Sequence, residues 1–294
     1  MNYRLSAGRK LFLVSNYVFL TLLAFACMFP LLHVFAVSLS SSHAVTAGKV
    51  WLIPVDSTLS SYKMVLSQKA FFVSFWISVK RVILGTSISM LLAVLAAYPL
   101  SRDQVQFKPR TVYAWFFVLS TMFSGGLIPL FMIVKSTHLL DTIWALVIPG
   151  AVNVFNIILL LNFFRSLPKE LDDAAKIDGA GHLASLFRIY IPLSLASLAT
   201  LTVFTVVGHW NSWFDGLIYM NSPDRYPLQS FLQTIVIKQD LSKLDHRQIE
   251  ALSDVSSRTN KAAQIFVATI PILFVYPFLQ RYFVSGIVLG SVKE

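Results

Sequence analysis

The side chains that could ligate a metal or transfer a proton are few and widely separated in this chain. Its one cysteine, Cys27, lies in an apolar stretch, and its six histidines lack the spacing of metal ligands. These histidines occupy positions 33, 43, 138, 182, 209 and 246. There is no G-x-x-x-x-G-K-[ST] phosphate loop, no G-x-S-x-G elbow and no H-E-x-x-H pair. We therefore expect no catalytic residue, no metal site and no cofactor bound by this chain. If ATP is used, another chain hydrolyses it.

A group of small and polar residues between positions 194 and 215 could contact a polar solute. Its members are Ser194, Ser197, Thr200, Thr202, Thr205, Gly208, His209, Asn211 and Asp215. Such residues either allow close helix packing or line a polar path, and the sequence leaves both open. His209, Asn211 and Asp215 are the candidates for solute contact. The neighbouring Trp210 and Trp213 are typical of a membrane interface.

Composition places these residues in a membrane protein. Of 294 residues, 56% are apolar and only 13% charged, against about 25% charged in ordinary globular chains. About half of the chain lies in windows without Asp, Glu, Lys or Arg, each about the length that spans a bilayer as a helix. These windows are 11–48, 82–101, 111–134, 142–164, 189–214 and 262–280. The sequence predicts an all-α polytopic membrane protein with six transmembrane helices.

Basic residues favour a cytoplasmic N-terminus. Arg4, Arg9 and Lys10 precede the first window, and no basic residue follows them until Lys49. The apolar run is too long for a signal peptide, so we expect a retained first span. Both termini would then be cytoplasmic and the 215–261 loop would lie outside. The net charge of +10 is spread in small groups between the windows, which is typical of topology-setting and lipid-contacting loops and not of nucleic-acid binding.

Several predicted spans contain helix-breaking residues. The prolines within them are Pro30, Pro99, Pro129, Pro149, Pro271 and Pro277. Gly125 and Gly126, close to Pro129, should break or kink the third span. Breaks at membrane depth persist only where protein or a water-filled cavity covers the backbone, which favours a transporter over a passive anchor. Lys80 and Arg81, just before the second window, are expected to extend to the interface without a transport role.

The loop between the fourth and fifth windows, residues 165–192, predicts two short helices joined by a turn. Pro168 suits a first helical turn, where Glu170, Asp172 and Asp173 meet the positive end of the helix dipole. Ala174 and Ala175 favour helix and leave room for another surface. The turn falls at Gly179, which can adopt a left-handed cap. A second helix from about Gly181 carries Leu183, Leu186, Phe187 and Tyr190 before Pro192 begins the next span. From the residues alone, the loop is either a structured connector or a docking element.

This loop resembles a motif of the permease subunits of ABC importers. Asp173-Ala174-Ala175, three residues, Gly179, nine residues and then Ile189-Tyr190-Ile191-Pro192 is similar to E-A-A-x-x-x-G-x9-I-x-L-P. The departures are Asp173 for Glu and Ile191 for Leu. In that family the loop docks in a groove of the cytoplasmic ATPase. The resemblance assigns docking to Glu170, Asp173, Ala174, Ala175, Asp178, Gly179, Ala180, Phe187 and Pro192.

Further stretches are similar to the maltose-type carbohydrate branch of these permeases and to its Gram-positive oligosaccharide relatives. They are Ala96–Arg102, Phe123–Pro129, Trp210-Asn211 and the tail from Tyr276 to Val284, with Gly286, Gly290 and Lys293. The similarity runs from about residue 60 to the end of the chain. Gly216 stands where many relatives have proline.

The resemblance implies the type I ABC importer permease fold. We expect residues 1–70 to hold the N-terminal tip, first span and an outer loop, and 71–294 to hold the permease core. The implied partners are a homologous permease, a cytoplasmic ATPase dimer that carries ATP and magnesium, an extracellular solute-binding protein, an oligosaccharide and membrane lipid. The implied location is the bacterial cell membrane, and nucleic acid is not a partner.

Three alternatives remain at this point. One is an ABC permease for another solute, against which the 276–293 tail argues. A secondary transporter would need ionisable residues at mid-membrane, and the charge-free windows supply none. A structural scaffold would not explain the kinks.

Overall fold

The computed structural model describes residues 7–103, 106–123, 125–241, 258–275 and 277, and every regular element in these ranges is helical. Expectations for residues 242–257 and for most of the 276–293 tail lie outside the described residues. The helices up to the 165–192 loop are α1 (Ala7–Ser38), α2 (Ser42–Thr46), α3 (Ser60–Ser67), α4 (Lys69–Ser101), α5 (Arg110–Met122), α6 (Leu127–Ser136), α7 (Ile143–Val147) and α8 (Val154–Ser166). Then come α9 (Lys169–Ile177), α10 (His182–Ser185), a π-helical turn (Leu186–Tyr190), α11 (Ile191–Leu193), α12 (Leu195–Asn211), α13 (Phe214–Tyr219), a 3-10 turn (Pro223–Arg225), α14 (Leu228–Leu241) and α15 (258–275).

Two described helices, α1 and α4, are long and apolar enough to cross a bilayer without a break. Pro30 lies inside α1 and Pro99 inside α4, so neither proline interrupts its helix. The first span ends at Ser38 and not at residue 48. Beyond it, the Ser40 hydroxyl donates to the Ala36 carbonyl at 2.6 Å and the Ser41 side chain caps α2. The charge-free window extends beyond the end of α1 because the serines and short turns that follow the helix are also uncharged.

The third and fifth windows are broken, so the number of membrane crossings rises to four if each bent pair is one span. The third window breaks between Met122 and Leu127, where Gly126 has φ +83°, as its glycines predict. The fifth window bends by 80° between His182–Leu193 and α12, at Ser194. The fourth window holds α7 and α8 as separate short helices. The expected total of six spans therefore stays a prediction.

The described chain forms two compact units, one within Met1–Lys69 and Ile237–Ile270 and the other within Ala70–Val236 and Pro271–Glu294. In the first unit Ala36, Ala44 and Val50 form a small core, and the rings of Phe35 and Phe266 lie 4.7 Å apart. The main core belongs to the second unit. There α4 and α8 pack together with the π-helical turn through residues such as Ala97, Leu160 and Leu186. This core holds the base of the 165–192 loop.

Candidate functional site

The turn of the 165–192 loop has the geometry that Gly179 predicts. After α9, Gly179 has φ +76°, its N–H donates to the Lys176 carbonyl at 3.0 Å, and the Ala180 N–H donates to the Ala175 carbonyl at 2.8 Å. These two bonds form a Schellman cap, which satisfies helix-end carbonyls and reverses the chain. Pro168 occupies the cap position just before the first helical residue of α9. The loop is therefore a defined helix-turn-helix and not an irregular connection.

The second half of the loop differs from a plain helix. After α10 the chain widens into the π-helical turn, continues through α11, and breaks at Ser194 instead of beginning the span at Pro192. Leu186 and Tyr190 are buried in the core, whereas Leu183 and Phe187 are exposed. The helical spacing of these four residues is real, but only two of them face the protein.

An ion pair that the sequence did not predict fixes the loop to the end of α4. Arg102 pairs with Asp172, and Lys176 contacts the other Asp172 oxygen at 2.7 Å. The Arg102 guanidinium lies over the rings of Tyr98 and Tyr190, 4.3 and 4.7 Å from their centroids. Both charged groups of this pair are buried. The usable signal was that Asp172 and Ala175, three residues apart, share one face of α9.

The surroundings of Asp172 favour its charged form. Burial alone would raise the pKa of Asp172, but the hydrogen bonds from Arg102 and Lys176 outweigh burial, so this pKa lies below the ordinary value for aspartate. The same hydrogen bond raises the pKa of Lys176. The attachment of the loop is therefore ionic throughout the physiological pH range.

The opposite face of the loop combines exposed apolar and acidic groups. Ile177 is 86% exposed, Leu183 68% and Phe187 57%, and the Asp173 side chain is 70% exposed. Other predicted docking residues are exposed as well: Glu170, Ala174, Asp178, Gly179 and Pro192. Ala180 is half-buried, and Ala175 is buried at the floor of a groove of about 510 Å³. This face can bind another surface, but it offers no nucleophile or metal ligand set.

His209 and Asp215 meet at a polar cavity of about 360 Å³ in the second unit. Its lining also includes Ser89, Asn153 and Thr205. Asn211 does not line this cavity and is exposed. The structure thus brings together two of the three candidates for solute contact.

Arg81 also lines this cavity. The expectation that Arg81 extends to the membrane interface was wrong. Because α4 begins at Lys69, Arg81 lies within the helix and is only 2% exposed, while Lys80 is exposed. Arg81 pairs through both terminal nitrogens with Asp215, and it donates to the Ser212 carbonyl at 3.2 Å. The Asp215 carboxylate also accepts from the Ser212 hydroxyl and the Gly216 N–H, each at 2.9 Å. Asp215 is therefore held by four donor groups within the protein.

Gly216 follows this ion pair and has a packing role. A Cβ atom on Gly216 would lie 2.8 Å from the Pro227 ring and would overlap Ser230. A side chain at position 216 is therefore excluded by the close approach of the chain just before α14. Among the described residues, no group of three or more His, Cys, Asp or Glu side chains could hold a metal ion.

The family described as binding-protein-dependent transport system inner membrane component matches residues 89–288. The chain belongs to this family. It is 41% identical over 286 residues to the polygalacturonan/rhamnogalacturonan transport system permease protein YtcP of Bacillus subtilis, covering 97% of this chain and 99% of that protein. It is 38% identical to protein LplC of the same species, covering 98% and 96%. A chain in the crystal structure of a bacterial ABC transporter involved in the import of the acidic polysaccharide alginate is 32% identical, with a TM-score of 0.84 and coverage of 95% and 99%.

Family membership decides several questions that the residues left open. The resemblance to ABC importer permeases and the all-α permease fold are confirmed. The chain is a multi-pass membrane transport subunit and not an enzyme. Family membership therefore excludes the two alternatives of a secondary transporter and a structural scaffold.

Proposed function

We propose that this chain is a permease subunit of an ATP-driven ABC importer for an oligosaccharide, and that the 165–192 loop couples it to the ATPase. The observation that carries the coupling role is the two-sided loop. One side is fixed to α4 by the Arg102–Asp172 pair, and the other presents Ile177, Leu183 and Phe187 to the surroundings. A passive connector gains nothing from such exposed apolar groups, whereas a docking surface needs them.

The docking partner is a cytoplasmic ATPase dimer that binds the ATP and magnesium, so this chain binds no cofactor. Asp173, Glu170 and Asp178 give the docking face an acidic rim, which suits a groove with basic residues. ATP-driven closure of the dimer would displace residues 168–190 as a rigid body and open the permease alternately to each side.

The substrate class follows from the similar proteins and from the polar cavity. Both the Bacillus permease and the alginate transporter are named for polysaccharides that they carry. The cavity beside His209 and Asp215 offers hydroxyl, amide, imidazole and guanidinium groups, which suit the hydroxyl groups of a sugar. Asn211 remains a candidate only for a path outside this cavity. An ABC permease for another solute is the alternative.

The remaining partners are a homologous permease subunit and an extracellular solute-binding protein. We place both termini in the cytoplasm and the 215–261 loop outside, where it would face the binding protein. The family description itself names binding-protein-dependent transport.

A strained turn tests the coupling role. Gly179→Val should lose co-purification of the ATPase, because a β-branched residue at φ +76° costs about 1–3 kcal/mol of strain and redirects the second half of the loop. Asp173→Arg should lose it too, through repulsion from a basic groove. Membrane insertion should be normal in both variants, since neither position lies in an apolar window.

Gly48→Val is the matched control. Gly48 has φ +67° and open space around it, so valine causes the same kind of strain in the other compact unit. This variant should keep its ATPase. If Gly179→Val and Asp173→Arg both retain the ATPase and transport normally, the loop is only a connector.

A further inference from the structure

A groove of about 440 Å³ runs between α5 and α8 and carries two arginines at one end. Arg110 opens α5 and Arg165 lies in the last turn of α8. Ala114, Phe117 and Val118 form one wall and Ile157, Ile158 and Leu161 the other. Residues 110 to 118 correspond to about 12 Å of helix, so the groove is a cationic end followed by about two turns of apolar surface.

Both arginines are held in place by the end of α4. Arg110 Nη1 donates to the Arg102 carbonyl at 3.2 Å, and Arg165 Nη2 donates to the Leu100 carbonyl at 3.1 Å. Their guanidinium groups are close enough to repel each other, and Asp103 is the acidic group that attracts Arg165. The other nearby charges are committed elsewhere, since Arg102 pairs with Asp172 and Lys176 with Asp172 and Asp173. Arg110 and Arg165 also line a neighbouring pocket with Asp103, Asp172 and Asp173. Because Arg102 and Lys176 neutralise Asp172 and Asp173, a net positive charge remains at the mouth of the groove.

The level of the arginines relative to the bilayer follows from the sequence. Arg110 directly precedes the charge-free window 111–134, and Arg165 directly follows the window 142–164. Each arginine thus marks the point where an apolar segment leaves the hydrocarbon, which is the depth of the lipid headgroups. The groove continues from this level into the hydrocarbon region.

In the part of the chain that the structure describes, the groove is open to the surface of the protein along α5. No side chain of α5 is buried, and Trp115, which lines the groove, is 60% exposed. An occupant must therefore be apolar along its length and anionic at one end.

We propose that this groove binds one anionic phospholipid, with its phosphate between Arg110 and Arg165 and an acyl chain against α5 and α8. Basic pockets between transmembrane helices bind anionic headgroups in this way. A helix of a second permease subunit would satisfy the apolar wall, but it would need its own acidic group at the depth of the arginines. The phospholipid meets both requirements in one molecule.

Trp115 provides the test, because bromine atoms on an acyl chain quench a tryptophan that they contact. The full-length protein with its co-purifying subunits is placed in vesicles that contain the same fraction of brominated-chain phosphatidylglycerol or brominated-chain phosphatidylcholine. The Trp115 signal is the difference between wild type and Trp115→Phe. We expect phosphatidylglycerol to quench this signal more strongly, with an enrichment of about fivefold for each arginine.

Arg110→Gln and Arg165→Gln should each reduce that preference, and Lys108→Gln is the matched control. Lys108 is exposed and does not line the groove, so its loss should leave the preference unchanged. The wild-type comparison of the two lipids stands even if a variant fails to assemble. Equal quenching by the two lipids would overturn the proposal. Absence of quenching by both would also overturn it and would indicate that protein fills the groove.

Discussion

Asp172 and Asp173 are neighbours in sequence with opposite surroundings. Asp172 is buried against Arg102 and Lys176, while Asp173 is exposed and contacts Lys176 at 3.4 Å. A buried ion pair that loses one partner leaves an uncompensated charge. Asp172 therefore contributes more than Asp173 to the stability of the loop, although Asp173 is the residue that belongs to the family motif.

Asp172→Asn should destabilise the protein by about 3 kcal/mol, because it leaves Arg102 buried beside a neutral group. Asp173→Asn, the control, should change stability by less than about 0.5 kcal/mol. The difference in stability between the two variants should decrease as the pH is lowered. The pKa of folded Asp172 lies below that of the unfolded chain, so its stabilisation is complete above about pH 4 and is lost as the pH falls through the lowered pKa. Thermal unfolding of both variants between pH 7 and pH 3 measures this, and a constant difference over that range would contradict it.

Substitutions of Arg81 and Asp215 should have non-additive effects on stability, and the loss of Asp215 should cost more than the loss of Arg81. Asp215→Asn leaves Arg81 buried without a counter-ion and should cost about 3 kcal/mol. Arg81→Met should cost less, because Asp215 keeps the Ser212 hydroxyl and the Gly216 N–H. The double variant should be more stable than Asp215→Asn alone, while Lys80→Met should be near neutral. Melting temperatures of the four purified variants decide this, and additive losses would mean that the two side chains act independently.

The role of a single residue can be predicted from the sequence where the local backbone conformation determines it. It cannot be predicted where the role depends on a contact with a distant segment. Gly179 could be assigned its turn because only glycine takes φ +76° without strain. Arg81 could not be assigned, since its partner lies 134 residues away and the start of α4 at Lys69 is not marked by any break in composition. The charges of Lys80 and Arg81 indicated the end of a span at a point that lies inside α4.

At the scale of helices, the His209 side chain of α12 lies so close to the backbone of α4 that a glycine is required at position 85. A Cβ atom on Gly85 would overlap the ring of His209. The wall of the polar cavity depends on this contact, because His209 is one of its lining residues. The windows predicted these two helices but not their separation, since small residues suit close packing and a polar path equally well.

Gly85→Ala should therefore displace the His209 ring and destabilise the protein by about 1–3 kcal/mol, as overpacking does. Gly208→Ala is the control in the same contact region, because a Cβ there meets nothing within 4 Å. Melting temperature should fall in the first variant and remain normal in the second. Equal behaviour of the two variants would argue against a required close approach.

At the scale of the whole molecule, the orientation in the membrane rests on charge alone. The basic cluster before the first window places the 165–192 loop inside and the 215–261 loop outside. The described structure supplies an exposed residue in each of these loops, Asp178 and Asp224.

Single cysteines at these two positions, in a Cys27→Ser background, should react differently with an impermeant thiol reagent. In intact cells Asp224→Cys should be labelled and Asp178→Cys should not. Opening of the cells should expose the second site. Labelling of Asp178→Cys in intact cells would reverse the orientation and would place the proposed docking face on the wrong side for an ATPase.

The 80° bend at Ser194 has a mechanical consequence. Residues 182–193 form an arm of about 18 Å that stands nearly at right angles to α12. A push on the far end of such an arm produces torque about Ser194, and a rotation of about 10° moves that end by about 3 Å. A straight helix would transmit the same push only along its own axis. Under the proposed coupling, the bend would convert a push on the 165–192 loop into a rotation of α12, and a small rotation would correspond to a displacement large enough to rearrange side-chain contacts.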